Sequence, residues 1–226
     1  MPSHAVVSRR SRRLVKRWRW RAARAAGIDR YTWASLNALD RRLVELFEGA
    51  TGGTFIELGA NDGLQQSNTL ALESLHGWSG LLIEADPELA AECRRNRPQA
   101  LVMCAAAAPT WGICHLIPSD LFGSVTGGAP GGQTKTLLVP TAPLSAIIDA
   151  AGISAAIDLV SLDVEGYELE VLSGLDLNRH RPQHLLIETV QPDAVLAALG
   201  HGYVRAATWS HHDHLFSAVD EVAAAG

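Results

Sequence analysis

The chain has 226 residues, 47% of them apolar, and a formal net charge of −5. That length suits one domain with a sizeable core plus an appendage. The sequence contains no run of about 18 apolar residues, so it lacks a membrane-spanning helix. No apolar stretch follows its basic N-terminal segment, so a secretory signal is not expected.

The charge is divided unevenly. Residues 1–30 carry ten Lys/Arg against Asp29, a net of +9, and residues 31–226 carry nine basic and 23 acidic side chains, a net of −14. The predicted organisation is therefore a basic arm, 1–30, and an acidic folded domain, 31–226. An acidic body argues against a nucleic-acid partner. In the arm, Leu14, Val15, Trp18 and Ala22 share one helical stripe. A basic amphipathic helix with Trp on its apolar side suits peripheral contact with an anionic membrane; the plainer alternative is a solvated tail. Cys93, Cys104 and Cys114 have neither zinc nor paired-disulfide spacing, which points to free thiols and a cytoplasmic protein, membrane-associated if the arm engages lipid.

From Thr32 as cap, the pattern predicts a helix to about Glu48, with Leu36, Leu39, Leu43, Leu46 and Phe47 at helical spacing. Strands and helices then alternate. The reading is strand Thr54–Leu58, helix Ser67–His76, strand Gly80–Glu84, helix Pro87–Asn96 with proline in its first turn, and strand Leu101–Cys104. Leu121–Gln133 is a glycine-rich loop, either a lid or a surface insertion. After Pro143 come a helix to about Ala151, strand Ile157–Asp163, helix Tyr167–Ser173, strand His184–Glu188 and helix Pro192–Leu199. Tyr203–Trp209 and His214–Val219 form a closing antiparallel pair. Repeated strand–helix units with continuously apolar strands predict an α/β fold with a mostly parallel sheet covered on both faces.

Ligands of such sheets bind at the carboxyl ends of the strands. After the first strand stands Glu57-x-Gly59-x-x-x-Gly63. Its glycines allow a sharp turn and close backbone approach, and the next helix is expected to begin at once, with its N–H groups facing the ligand. A dinucleotide site would carry Gly-x-Gly-x-x-Gly for a pyrophosphate. An acid at Glu57 repels phosphate but pairs with an ammonium, which favours S-adenosylmethionine. Glu84, 21 residues after Gly63, ends the second strand ahead of Ala85-Asp86-Pro87. A carboxylate there can accept both ribose hydroxyls.

Asp163-Val164-Glu165-Gly166 follows the fourth strand and Glu188 ends the fifth. Paired acids at strand tips are hydrogen-bonded, metal-bound or catalytic. Asp163 and Glu188 can hold a Mg²⁺ that acidifies a substrate hydroxyl, or one acid can be a general base; helix capping is the structural alternative. His211, His212, Asp213 and His214 cluster near the C-terminus, where a histidine can act as base or metal ligand. His214 enters the strand pattern and is expected to point inward.

At these residues the sequence resembles the FkbM-type family of S-adenosylmethionine-dependent methyltransferases. The stretches that carry the likeness are Phe55-Ile-Glu-Leu-Gly-Ala-Asn-Asp-Gly63, Gln66-Ser67-Asn68-Thr69, Gly77-Trp78 through Glu84, Asn96-Arg97-Pro98, Ser161-Leu-Asp-Val-Glu-Gly-Tyr-Glu168 and Leu186-Ile187-Glu188. The resemblance implies a Rossmann-like class I methyltransferase fold, a mostly parallel seven-stranded sheet with a C-terminal antiparallel hairpin. It implies methyl transfer, typically to an oxygen of a sugar, glycolipid or polyketide-type acceptor. By position it places Glu57, Gly59, Asn61 and Gly63 at the methionine end of the cofactor, Glu84 at the ribose, and Asp163 and Glu165 beside the transferred methyl. Ser67, Ala85 and Asp163 complete the cofactor-binding set. Many members carry Lys where Ser161-Leu162 stands here. Asp163, Glu165 and His214 are the candidate catalytic residues, with Asp163 or His214 as base. The rival readings are a nicotinamide-dependent oxidoreductase and a membrane-peripheral protein with a degenerate cofactor site.

Overall fold

The computed structural model describes residues 33–117, 124–126, 136–153 and 156–219, with residues 18, 19, 22, 23 and 26 of the arm. Leu14 and Val15 of the arm's stripe, the cap at Thr32 and most of the Leu121–Gln133 segment fall outside the described residues, while Trp18 and Ala22 are helical and exposed.

The first helix, α1 (Leu39–Leu46), begins later than its periodicity predicts. Asn37 and Ala38 have positive φ, 52° and 56°, which breaks the helical path and leaves a short 3₁₀ turn at Leu36–Ala38. The start is fixed by a reciprocal clasp. Asp40 donates its N–H to Ser35 Oγ (2.8 Å), and its carboxylate accepts from the N–H groups of Ala34 and Ser35. Such side-chain caps replace the hydrogen bonds that a first turn lacks.

The chain then runs β1 (Thr54–Leu58), α2 (Leu70–His76), β2 (Ser79–Glu84), α3 (Pro87–Asn96) and β3 (Leu101–Cys104). Next come β4 (Ala106–Ala107), β5 (Gly112–Ile117), β6 (Ser124–Thr126) and β7 (Leu137–Ala142). It closes with α4 (Leu144–Ala150), β8 (Leu159–Leu162), α5 (Glu168–Ser173), β9 (His184–Glu188), α6 (Pro192–Leu199), β10 (Tyr203–Thr208) and β11 (Asp213–Ala218). The main sheet has seven strands in the order β3-β2-β1-β8-β9-β11-β10. Neighbours from β3 to β9 are parallel, and β11 runs antiparallel to both β9 and β10. This is the seven-stranded sheet with a terminal hairpin that the sequence predicts.

The apolar strands are buried on both faces. Ile56, Leu58, Ile83 and Val160 pack with Ile148, Val171 and Val195 of α4, α5 and α6. Phe55, Leu82 and Leu186 pack with Leu43 and Leu72 of α1 and α2. Covering both faces removes the need for polar alternation, which explains the continuous apolar runs. Among the described residues no helix is long and apolar enough to cross a membrane. Cys93, Cys104 and Cys114 are free thiols.

The sequence pattern does not predict the second sheet. β4, β7, β5 and β6 form a four-stranded sheet in that order. Ser124–Thr126, read as part of a loop, is a strand paired with His115–Ile117. Cys114, Leu116 and Val139 of this sheet pack on Ala106. The small sheet therefore grows out of the end of β3 as a wall beside the carboxyl ends of the main strands.

Candidate active site

Sequential strands spread outward from β1 to β3, and the chain then returns to β8 on the other side of β1. That reversal opens a crevice at the strand tips. It encloses about 1060 Å³, counting its open mouth, and is lined by the tips of β1, β2 and β8, the loop after β1, and Ala106, Ala107 and Leu116 from the small sheet. Glu57, Gly59, Asn61, Ser67, Glu84, Ala85, Asp163 and Glu165 all line it. Eight residues from three separate stretches thus converge on one cavity.

Gly59 shows why the turn after β1 carries no side chain. Its φ is +75°, and a Cβ there would stand 1.9 Å from the Asp163 carbonyl oxygen. β1 and β8 can touch at their tips only across a bare backbone. Helix α2 does not start directly after the glycines. It begins at Leu70, where Ser67 Oγ accepts the Leu70 N–H (3.2 Å). The six residues between are a loop held by side chains, so a helix N-terminus does not face the ligand as predicted.

The loop's anchor is Glu57. Its buried carboxylate accepts from Ser67 Oγ (2.9 Å), the Asn68 N–H (2.9 Å) and Thr69 Oγ1. Arg97, at the end of α3, backs this anchor. Arg97 is 0% exposed and donates to Glu73 Oε2 (2.8 Å), the Gly63 carbonyl (3.1 Å), Ser67 Oγ (3.1 Å) and Thr69 Oγ1 (3.1 Å). Its guanidinium also lies 4.0 Å from Glu57. Neighbouring Asn96 donates to the Asp62 carbonyl (2.7 Å). Gly63 sits on this hidden side: a Cβ there would press 2.8 Å from Cys93 Sγ and 2.9 Å from Arg97 Cγ. Gly63 therefore serves loop–helix packing and does not line the crevice, contrary to its expected place at the methionine end.

Glu84 has the opposite character: it is buried, yet faces the crevice. Oε2 accepts the Asn61 N–H (2.7 Å) and Oε1 the Asp86 N–H (2.8 Å), and each oxygen keeps a lone pair for a further donor. Burial pushes its carboxyl up to about 7, against the two backbone donors that favour the ion. Asp86 beside it caps α3 through the Glu88 and Leu89 N–H groups.

Asp163 and Glu165 bracket Val164 at the tip of β8. Glu165 has φ 56°, and Gly166 donates its N–H to Glu168 Oε1 (2.7 Å), so α5 is entered through a tight turn. Burial, and then the adjoining Glu188 carboxylate, push Asp163 up to about 7. Burial and Asp163 raise Glu165 as well. Glu188 stands beside Asp163 but does not itself line the crevice.

His214 points inward, as its pattern suggests, but not into the crevice. In β11 it pairs with Ile187, a residue of the core facing α6, while Asp213 pairs with Glu188. Directly opposed residues share a face and successive ones alternate, so His214 faces away from the acids. Its Nδ1 meets Thr208 Oγ1 (3.2 Å), and its Nε2 is buried without a partner. The histidine that reaches the acids is His212, whose Nε2 lies 3.5 Å from Glu188 Oε1.

Sequence reasoning missed Arg97 and Asn68 as site residues. Asn68 Nδ2 donates to Ser161 Oγ (3.0 Å), bridging the loop to β8 inside the crevice. An arginine at the end of an apolar-faced helix reads as surface, and only the quoted Asn-Arg-Pro run hinted at more.

The strand order and the crevice are those of the Rossmann-like methyltransferase fold. The chain belongs to the FkbM family: the family's model, "Methyltransferase FkbM domain", matches residues 57–215. No curated protein matches the chain. Among solved structures, it is similar to a TehB-like SAM-dependent methyltransferase from Corynebacterium glutamicum, at 15% identity over 89% of this chain and 95% of that one, with a TM-score of 0.45. A methyltransferase from Geobacter sulfurreducens matches at 12% identity, over 97% of this chain and 91% of that one, with a TM-score of 0.47. TrmN from Thermus thermophilus matches at 11% identity with a TM-score of 0.48, over 81% of this chain but 49% of TrmN, so the chain spans about half of TrmN's length.

Two predictions arise from this geometry. Gly59→Ala should weaken S-adenosylhomocysteine binding by more than about tenfold, because the new Cβ must push β1 from β8; calorimetric titration reads it. The second concerns Glu84, whose carboxyl titrates near 7 when folded instead of its ordinary 4.5. Raised this way, it stabilises the ligand-free protein below about 4.5, and that contribution is lost as pH rises to about 7. A bound ribose would donate to the ion and reverse the shift. Affinity for S-adenosylhomocysteine should then rise about tenfold between pH 6 and pH 8. In Glu84→Gln it should be weaker and lose most of that dependence, keeping only what Asp163, also raised to about 7 in the crevice, contributes.

Proposed function

We propose that this protein transfers a methyl group from S-adenosylmethionine to an oxygen of a small-molecule or glycan acceptor, such as a sugar, glycolipid or polyketide-type hydroxyl. The observation that carries the reading is the convergence of the Gly59 turn, the open lone pairs of Glu84 and the Asp163 carboxylate on one crevice. The residues fit the group. Glu84 and Ala85 would hold the ribose. The backbone at Gly59 and Asn61, with Ser67 on its Glu57-anchored loop, would receive the methionine end. When bound, S-adenosylmethionine supplies an electrophilic methyl on a sulfonium.

The chain's own residues then position and deprotonate. Asp163, which stands in the crevice at the tip of β8, would take the proton of an acceptor hydroxyl as that oxygen receives the methyl the bound sulfonium would supply, leaving S-adenosylhomocysteine. Holding the reactants in line is worth up to about 7–11 kcal/mol in well-oriented systems. The small sheet, through Leu116, walls the crevice. Asp163 is the base in this scheme, since His214 faces the other side of the sheet. The Arg-rich arm, 1–30, would add peripheral membrane contact where the acceptor is lipid-linked; sedimentation with anionic vesicles, with and without residues 1–30, tests this.

The direct test is S-adenosylhomocysteine release against a panel of sugars, glycolipids and polyketides. Methylated oxygen in the product supports the proposal. A product methylated on nitrogen or carbon, or no turnover across the panel, overturns it.

A further inference from the structure

Beyond the crevice, three side chains of different types meet where β9 ends and β11 begins. Glu188 and Asp213 are direct cross-strand partners, and His212 precedes Asp213. One ligand atom from each lies within 4.8 Å of the other two. His212 Nε2 is 3.5 Å from Glu188 Oε1 and 3.7 Å from Asp213 Oδ2. Around a cation with bonds of about 2.1–2.2 Å, adjacent donor atoms stand roughly 3.0 Å apart in an octahedron and 3.5 Å in a tetrahedron. His212 Nε2 is therefore within a few tenths of an ångström of tetrahedral ligating separation from both carboxylates, and the two carboxylate oxygens, no more than 4.8 Å apart, need a side-chain rotation of about an ångström to close on one ion.

A second feature points the same way. Two of the three donors are tied to groups outside the trio. Asp213 Oδ2, the oxygen nearest His212, accepts from Ser210 Oγ (2.6 Å) and Asn37 Nδ2 (3.0 Å), one of which a cation would displace, and His212 Nδ1 lies 2.7 Å from His211 Nε2. A ring nitrogen engaged on its far side and a carboxylate held by outer donors are how proteins orient metal ligands. Glu165, Glu168 and Asp213 stand close enough for their negative charge to act on Glu188, an excess that a divalent cation would neutralise.

We infer that Glu188, His212 and Asp213 form a three-ligand site for a borderline divalent cation, Mn²⁺ or Zn²⁺, with its remaining positions open. The imidazole decides the class of metal. Mg²⁺ prefers oxygen alone in near-ideal octahedral geometry, whereas imidazole with carboxylates suits Mn²⁺ and Zn²⁺. The donor set thus differs from a Mg²⁺ held by Asp163 and Glu188, as the strand tips alone suggest. Asp163 touches Glu188 and also lines the crevice, which places the cation beside the acceptor end. Its use in methyl transfer rests on the proposed function; its binding does not.

The test is titration of metal-stripped full-length protein with MnCl₂ and with ZnCl₂ by calorimetry. The expected result is one site, weakened more than about tenfold in Glu188→Gln and in His212→Ala. Glu188 and His212 side chains are 41% and 23% exposed, so both variants should fold. S-adenosylhomocysteine affinity, measured on the same samples, should stay within about threefold of wild type and reports on the crevice separately. The inference is overturned if wild type binds neither ion at millimolar concentration, or if both variants bind as wild type does.

Discussion

Arg97→Met should lose about 3–5 kcal/mol of stability, because truncating one partner of a buried ionic network leaves the others uncompensated. In a chain of this size that amounts to a fall in Tm of roughly 6–20 °C. The guanidinium is fully buried and uses Nε, Nη1 and Nη2 to hold Glu73, Gly63, Ser67 and Thr69. Methionine fills much of the space but leaves the Glu73 carboxylate without its 2.8 Å partner and removes the cation beside Glu57. Arg97→Lys should fall between the two, since an ammonium keeps the charge but cannot reproduce the planar fork. Thermal melts of the three proteins check the order. Arg97→Met melting with wild type would show that the loop after β1 is held by other means.

Asp163→Asn should lower kcat by about 10²–10⁴-fold, the usual worth of a positioned base, while the KM for S-adenosylmethionine moves only a few-fold. The amide preserves the shape of the β8 tip and the bare contact between Gly59 and the Asp163 carbonyl, which belongs to the backbone. What it removes is a proton acceptor at the crevice wall. Steady-state kinetics with a saturating acceptor separate the two parameters. A kcat within tenfold of wild type would mean that positioning alone carries the transfer, or that another group takes the proton.

Much of this architecture can be read from the sequence because its elements are locally consistent. β1, β3, α3, β9 and α6 lie where apolar runs and a first-turn proline put them. The crevice was legible for a related reason: a strand tip followed by Gly59, or by Glu84 and Ala85, must face the same edge of a parallel sheet. What escaped depends on partners distant in sequence. The small sheet of β4 to β7 is built of short strands joined across as many as 35 residues, such as Ala106 with Thr141, and no local period announces it. His214 was misplaced because strand alternation fixes which residues share a face, but not which face meets the crevice; the register of β11 on β9 decides that. The burial of Arg97 comes from its position at the end of α3, where the chain leaves the helix and the guanidinium lies under a loop that ends some 30 residues earlier.

Calorimetric titration of the purified protein with S-adenosylhomocysteine addresses the cofactor crevice most directly. One site per chain with a Kd between about 1 μM and 1 mM, tightening from pH 6 to pH 8 and losing most of that pH dependence in Glu84→Gln, is the predicted result. Absence of binding at millimolar ligand at pH 8 would contradict the cofactor site itself.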